Sequence, residues 1–136
     1  MNDDPTDEAE VADNRRPAEI VSRFLQELEA RDLEAAAALL APGATMVFPG
    51  GASFSRLEDL VEWARHRYAR ARKRIERIDV ADAAEGDAVF CQGTLDGEWL
   101  DGTTFDGIRF ADWFLIREGR IVRQEVWNDL AVGRHD

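Results

Sequence analysis

The chain has 136 residues, 45% of them hydrophobic, and a formal net charge of −11. That is enough apolar material for one core and too little length for a second domain. The net negative field excludes nucleic acid and anionic membrane as main partners. Six acidic residues fall within residues 1 to 14, against no basic ones. They read as a disordered acidic tail ahead of a single domain over 15–136. Without them, 22 acidic residues stand against 17 basic, a net −5.

No apolar run approaches the length of a membrane span, and no basic segment followed by an apolar one opens the chain, so a cytoplasmic protein is expected. Cys91 is the single cysteine, which leaves no internal disulfide and no thiolate metal cluster. It sits in Ala88-Val89-Phe90-Cys91, where a thiol reads as a small core residue. His66 and His135 are the only histidines, so no metal site and no cofactor are expected.

In chain order, Pro17 suits a first helical position, and Ile20, Val21, Phe24, Leu25 and Leu28 form one apolar stripe at helical spacing. Asp32 is placed to cap a short second helix from Leu33 to Leu40, which Pro42-Gly43 ends. The β-prone run Thr45-Met46-Val47-Phe48 follows. Ser55 with Glu58 makes a capping-box pattern for a third helix, whose apolar face carries Leu57, Leu60, Val61, Ala64 and Tyr68. Arg65, Arg67, Arg70, Arg72, Lys73, Arg74 and Arg77 form a basic run, read as a solvated helix end or a site for an anionic partner. Strands then cover Ile75 to Ala81, Ala88 to Leu95, Ile108 to Ile116 and Ile121 to Leu130.

The last two strands read as a hairpin turning at Glu118-Gly119. A two-residue loop pairs Ile116 with Ile121 and, without interruption, Phe110 with Trp127. This register puts Asp112 on one face with Phe110, Phe114, Trp127 and Asp129. A carboxyl in that apolar setting loses water and has its pKa raised. Arg123 and Glu125 share the face, so Asp112 reads either as a pocket acid or as a member of a structural ion pair. Trp113, Leu115, Val122 and Val126 fall on the outer face, and that apolar surface predicts a homodimer.

Three helices followed by an antiparallel sheet give an α+β layout. The strings Ile20-Val21-Ser22-Arg23-Phe24-Leu25, Arg31-Asp32-Leu33, Ala44-Thr45-Met46-Val47-Phe48-Pro49 and Gly119-Arg120-Ile121-Val122 before Trp127 resemble the nuclear transport factor 2-like superfamily. The likeness is to its SnoaL-like and ketosteroid isomerase-like members and covers residues 17 to 130. It implies a cone-shaped, strongly curved antiparallel β-sheet wrapped around three N-terminal helices, a deep apolar pocket, and a dimer.

Carried over residue by residue, the resemblance matches the late-strand acid of ketosteroid isomerases with Asp112. Their tyrosine position falls on Phe24 and their base position on Phe48, so enolisation by that set lacks its proton carrier. Trp127-Asn128-Asp129 resembles the Trp-x-Asp string of limonene epoxide hydrolase-like members. Their Arg-x-Asp element is absent from Phe90-Cys91-Gln92-Gly93-Thr94-Leu95. What remains is a pair of candidate catalytic acids, Asp112 and Asp129. Phe24, Phe48, Trp63, Phe110, Phe114 and Trp127 are the candidate lining for a small hydrophobic molecule. Two functions stand: a cofactor-independent acid/base enzyme of isomerase, cyclase, dehydratase or hydrolase type, and a non-catalytic ligand-binding or dimerisation module.

Overall fold

A computed structural model describes residues 5–133, with side chains described from Arg16 to Val132. Helix α1 spans Pro5–Glu29. The acidic stretch expected as a disordered tail, 1–14, lies partly outside the described residues and partly in the backbone span of α1. Pro17 sits inside α1, not at its first turn. The stripe read from spacing is the buried one: Val21, Phe24 and Leu25 enter the core, with Ile20 and Leu28 packed against it. Helix α2 (Leu33–Ala37) starts as its sequence predicts, with Asp32 accepting from the Ala35 N–H at 3.1 Å. Helix α3 (Leu57–Ala64) does not: its N-cap is Arg56, with no side-chain cap bond. Glu58 and Asp59 in its first turn instead place negative charge near the positive end of the helix dipole.

Six strands follow and intersperse: β1 (Leu40–Phe48), β2 (Ala52–Phe54), β3 (Arg70–Ala83), β4 (Gly86–Glu98), β5 (Thr104–Arg117) and β6 (Arg120–Asn128). They form one curved, unclosed sheet in the order β2-β1-β6-β5-β4-β3, with α1 packed against β3, β4 and β6. The α+β class expected from the sequence is the one observed. The sheet is not a pure meander, because β1 pairs with β6 in parallel. A short turn of helix, α4 (Leu130–Gly133), closes the described chain.

Two departures from the expected strands decide where the site lies. First, β3 begins at Arg70 and takes in most of the basic run, which is therefore a strand at the sheet edge and no helix end. Alternation turns Arg70, Arg72 and Arg74 outward and leaves Ala71, Lys73 and Ile75 half-buried on the inner side. Second, the β5–β6 hairpin keeps its tight turn, with Glu118 and Gly119 at φ 52° and 77°, and pairs Ile116 with Ile121. One step later a bulge at Val122 sets Leu115 against Arg123. One extra residue reverses the facing of everything beyond it. Phe110 therefore pairs with Asn128, and Gln124 and Val126 point inward where Arg123, Glu125 and Trp127 were expected.

Candidate functional site

Asp112 lies on β5 opposite Cys91 of β4 and Val126 of β6, and its exposure is 0%. Its partner comes from the far edge of the sheet. Lys73 of β3 donates from Nζ to Asp112 Oδ2, and its ammonium stands 5.1 Å from the centre of the Phe110 ring. The register explains the reach. Lys73 faces Leu95, and two positions along β4 Gly93 faces Phe110, followed by Cys91 facing Asp112. The long lysine stem crosses this step while its side chain stays 20% exposed.

Gln124 approaches the same carboxylate, with Nε2 3.5 Å from Oδ2. Asp112 Oδ1 and Gln124 Oε1 are both buried with no hydrogen-bond partner among the described residues. Burial pushes the Asp112 carboxyl above the usual range, and the Lys73 charge and its hydrogen bond oppose that rise. Arg123 and Glu125, the alternative partners expected for Asp112, pair with each other at 3.1 Å on the outer side. The Cys91 thiol beside Asp112 is pushed up to about 12, first by burial and then by the neighbouring carboxylate. Such a thiol is no nucleophile at neutral pH.

A cavity of about 80 Å³ opens beside this pair, with about 660 Å³ of empty space once its open mouth is counted. At about 30 Å³ per water in the liquid, the enclosed space admits about two or three waters, so a bound ring would extend into the open mouth. Leu25, Leu28, Leu60, Ala64, Leu95 and Val126 give its apolar wall. Its polar atoms come from Glu29 and Arg31 at the end of α1, Tyr68 after α3, Lys73 and Asn128. Glu29 is fixed there by accepting the Lys73 backbone N–H at 3.0 Å. Lys73 is thus both a wall of the cavity and the cap over Asp112.

Of the residues picked out from sequence, Phe48 lines the cavity. Trp63 stands behind it, its ring 5.6 Å from Phe48 and 5.4 Å from Phe54. Phe24 and Phe114 are wholly buried in an edge-to-face contact at 6.2 Å, and Phe110 forms the floor under the Lys73 ammonium. Trp127 is 53% exposed on the outer face. Asp129 follows β6 and pairs with exposed Arg109 at 2.8 Å, away from Asp112. His66 is exposed, its Nε2 3.0 Å from Glu62 Oε1. Gln124 escaped sequence reasoning, Lys73 was read only as one member of the basic run, and Val126 was placed on the outer face. The signal for Lys73 was the period-two alternation in Arg70-Ala71-Arg72-Lys73-Arg74-Ile75, and the Val122 bulge hid the other two.

Residues 21–124 match the model of the SnoaL-like domain family. The chain belongs to that family. Solved structures with the same fold cover most of this SnoaL-like chain at low identity. A nuclear transport factor 2-like protein of unknown function from Burkholderia pseudomallei superposes with a TM-score of 0.71 at 20% identity, covering 86% of this chain and 93% of that one. TerC, co-crystallised with polyporic acid, gives 0.71 at 20%, covering 86% and 94%. A protein from Jannaschia sp. CCS1, proposed to be a SnoaL-like polyketide cyclase, gives 0.70 at 17%, covering 97% and 93%. No curated protein matches the chain. Among the described residues of this SnoaL-like domain, no helix is long and apolar enough to cross a membrane, and no group of three His, Cys, Asp or Glu side chains could hold a metal.

Proposed function

We propose that this SnoaL-like chain binds a small, largely apolar metabolite and performs cofactor-independent acid/base chemistry on it, with Lys73 meeting the substrate. The observation that carries this reading is the double placement of Lys73, at the cavity wall and on the buried Asp112. A carbonyl oxygen presented to Lys73 accepts a hydrogen bond that strengthens as negative charge develops on that oxygen. Asp112 holds the ammonium in place and supplies its counter-charge, and Asp129 takes no part. The small-molecule reading has support from the relatives co-crystallised with polyporic acid or proposed as polyketide cyclases.

A second reading, binding without turnover, is favoured by one observation: Asp112 is fully buried behind Lys73, which leaves Glu29 as the carboxylate at the cavity. A thermal-shift screen of single-ring ketones, phenols, lactones and epoxides, followed by product analysis, separates the two. Ligand bound to the native state raises its melting temperature. Loss of both shift and product in Lys73→Met supports the enzyme. Shift without product from any hit supports the binding module, and hits unaffected by Lys73→Met remove the site assignment.

We also propose a homodimer through the outer sheet face. Phe90, 42% exposed, is paired with Trp113, and Trp127 lies one row further along. A chain of net charge −11 repels its own copy. On this face, however, Arg123–Glu125 and Arg109–Asp129 neutralise each other, so the patch suits a second copy of itself. Sedimentation of the wild type and Trp127→Glu tests this, with a dimer expected for the first and a monomer for the second.

A further inference from the structure

We infer that the cavity takes an acidic ligand, a single-ring carboxylate, and that Asp112 takes up one proton from solvent when that ligand binds. The inference rests on the ligand reading above and deepens it. Two cationic side chains, Lys73 and Arg31, line a cavity in a strongly acidic protein, against one carboxylate, Glu29. Arg31 spends one of its five donors on the Leu28 carbonyl at 2.8 Å, and Glu29 is engaged by the Lys73 backbone N–H. Asp112 already balances Lys73, and Glu29 keeps its own charge. What the cavity offers a carboxylate is therefore the Arg31 guanidinium, whose side-chain bond goes to a carbonyl and not to a carboxylate, beside the Lys73 ammonium. The small enclosed space suits a compact, single-ring acid.

Binding then places two carboxylates on one ammonium. Two carboxylates sharing one ammonium repel each other, and the one with less solvent is the one that becomes neutral. That group is Asp112. Lys73 from β3 is its charged neighbour, Gln124 from β6 its polar one, and Cys91 from β4 is a thiol that itself stays protonated. Burial already raises its carboxyl above the ordinary value, opposed chiefly by the Lys73 charge that the ligand now shares. The step balances simply: one buffer proton bonds to an Asp112 oxygen, and no bond between heavy atoms forms or breaks. The orphaned acceptor Gln124 Oε1 lies in the same pocket of buried polar atoms, where a neutral carboxyl can donate.

The test is calorimetric titration of the full chain with benzoate in two buffers of different ionisation enthalpy, beside benzamide as the uncharged isostere. The expected result is uptake of close to one proton per benzoate, with benzamide about tenfold weaker or worse. Asp112→Asn is expected to bind benzoate at least as well with uptake near zero, and Lys73→Met to lose it. Benzoate binding without proton uptake, or benzamide binding equally well, overturns the inference. If benzamide and cyclohexanone bind while benzoate does not, the acidic-ligand inference falls and the pocket reading stands. If none of the three binds, both fall. Should Asp112→Asn not fold, the carboxyl carbon shift of Asp112 in the wild type, followed by NMR as benzoate is added, reads the same proton directly.

Discussion

Lys73 on the edge strand and Asp112 in the middle of the sheet, 39 residues apart in sequence, form an ion pair in which the lysine alone touches the cavity. Removing one partner of such a pair costs more than removing both, because the survivor is left buried and uncompensated. Lys73→Met is expected to lose about 3 kcal/mol in urea unfolding. The double variant Lys73→Met/Asp112→Leu should recover most of that loss. Simple additivity of the two single changes would show that the pair is not coupled.

Asp112 also fixes the sign of a pH effect. Its native carboxyl is raised above the ordinary value of 3.8, so the native state holds a proton that the unfolded chain has already released. Stability therefore falls as pH rises from about 3.8 through the raised native value, and is flat beyond it. Urea unfolding of wild type and Asp112→Asn across this window should show the slope in the first and its loss in the second.

Cys91 gives a second window at the alkaline end. Its thiol is raised from 9.0 to about 12, so the unfolded chain loses that proton first and stability declines between those values. Cys91→Ala should remove this part of the alkaline decline. At pH 8, iodoacetamide should modify native Cys91 no faster than the protein unfolds, since the thiolate is the reactive form.

Gly93 is required by the backbone that crosses it. A Cβ there stands 1.9 Å from the Arg74 carbonyl oxygen and 3.0 Å from the Glu76 nitrogen, beside the bulge in β3. Backbone atoms of a paired strand yield little, so Gly93→Ala should cost about 2 kcal/mol. It should also weaken ligand binding, because Arg74 adjoins Lys73. A melting temperature unchanged by Gly93→Ala would contradict the close crossing.

The helical stripes, the Asp32 cap and the turn at Glu118-Gly119 were legible because each depends on neighbours within a few residues. The buried character of Asp112 was legible too, since it rests on strand parity within β5 alone. Trp127 and Val126 exchanged faces because one bulged residue, Val122, reverses parity, and no residue type in the hairpin announces it. Lys73 was hidden differently. Its charge made the run read as solvated, although alternate arginines already marked a strand with one face turned inward. Which inward residue meets Asp112 depends on the order β5-β4-β3, a long-range pairing that local pattern does not carry.

The most direct measurement is side-chain NMR of Lys73 during titration with cyclohexanone and benzoate, using Lys73→Arg for assignment. The account predicts a saturable shift of the Lys73 Nζ and Cε signals, with Val126 methyls moving alongside and the Trp127 indole unmoved. Saturable binding that leaves Lys73 untouched and shifts Trp127 instead would contradict it.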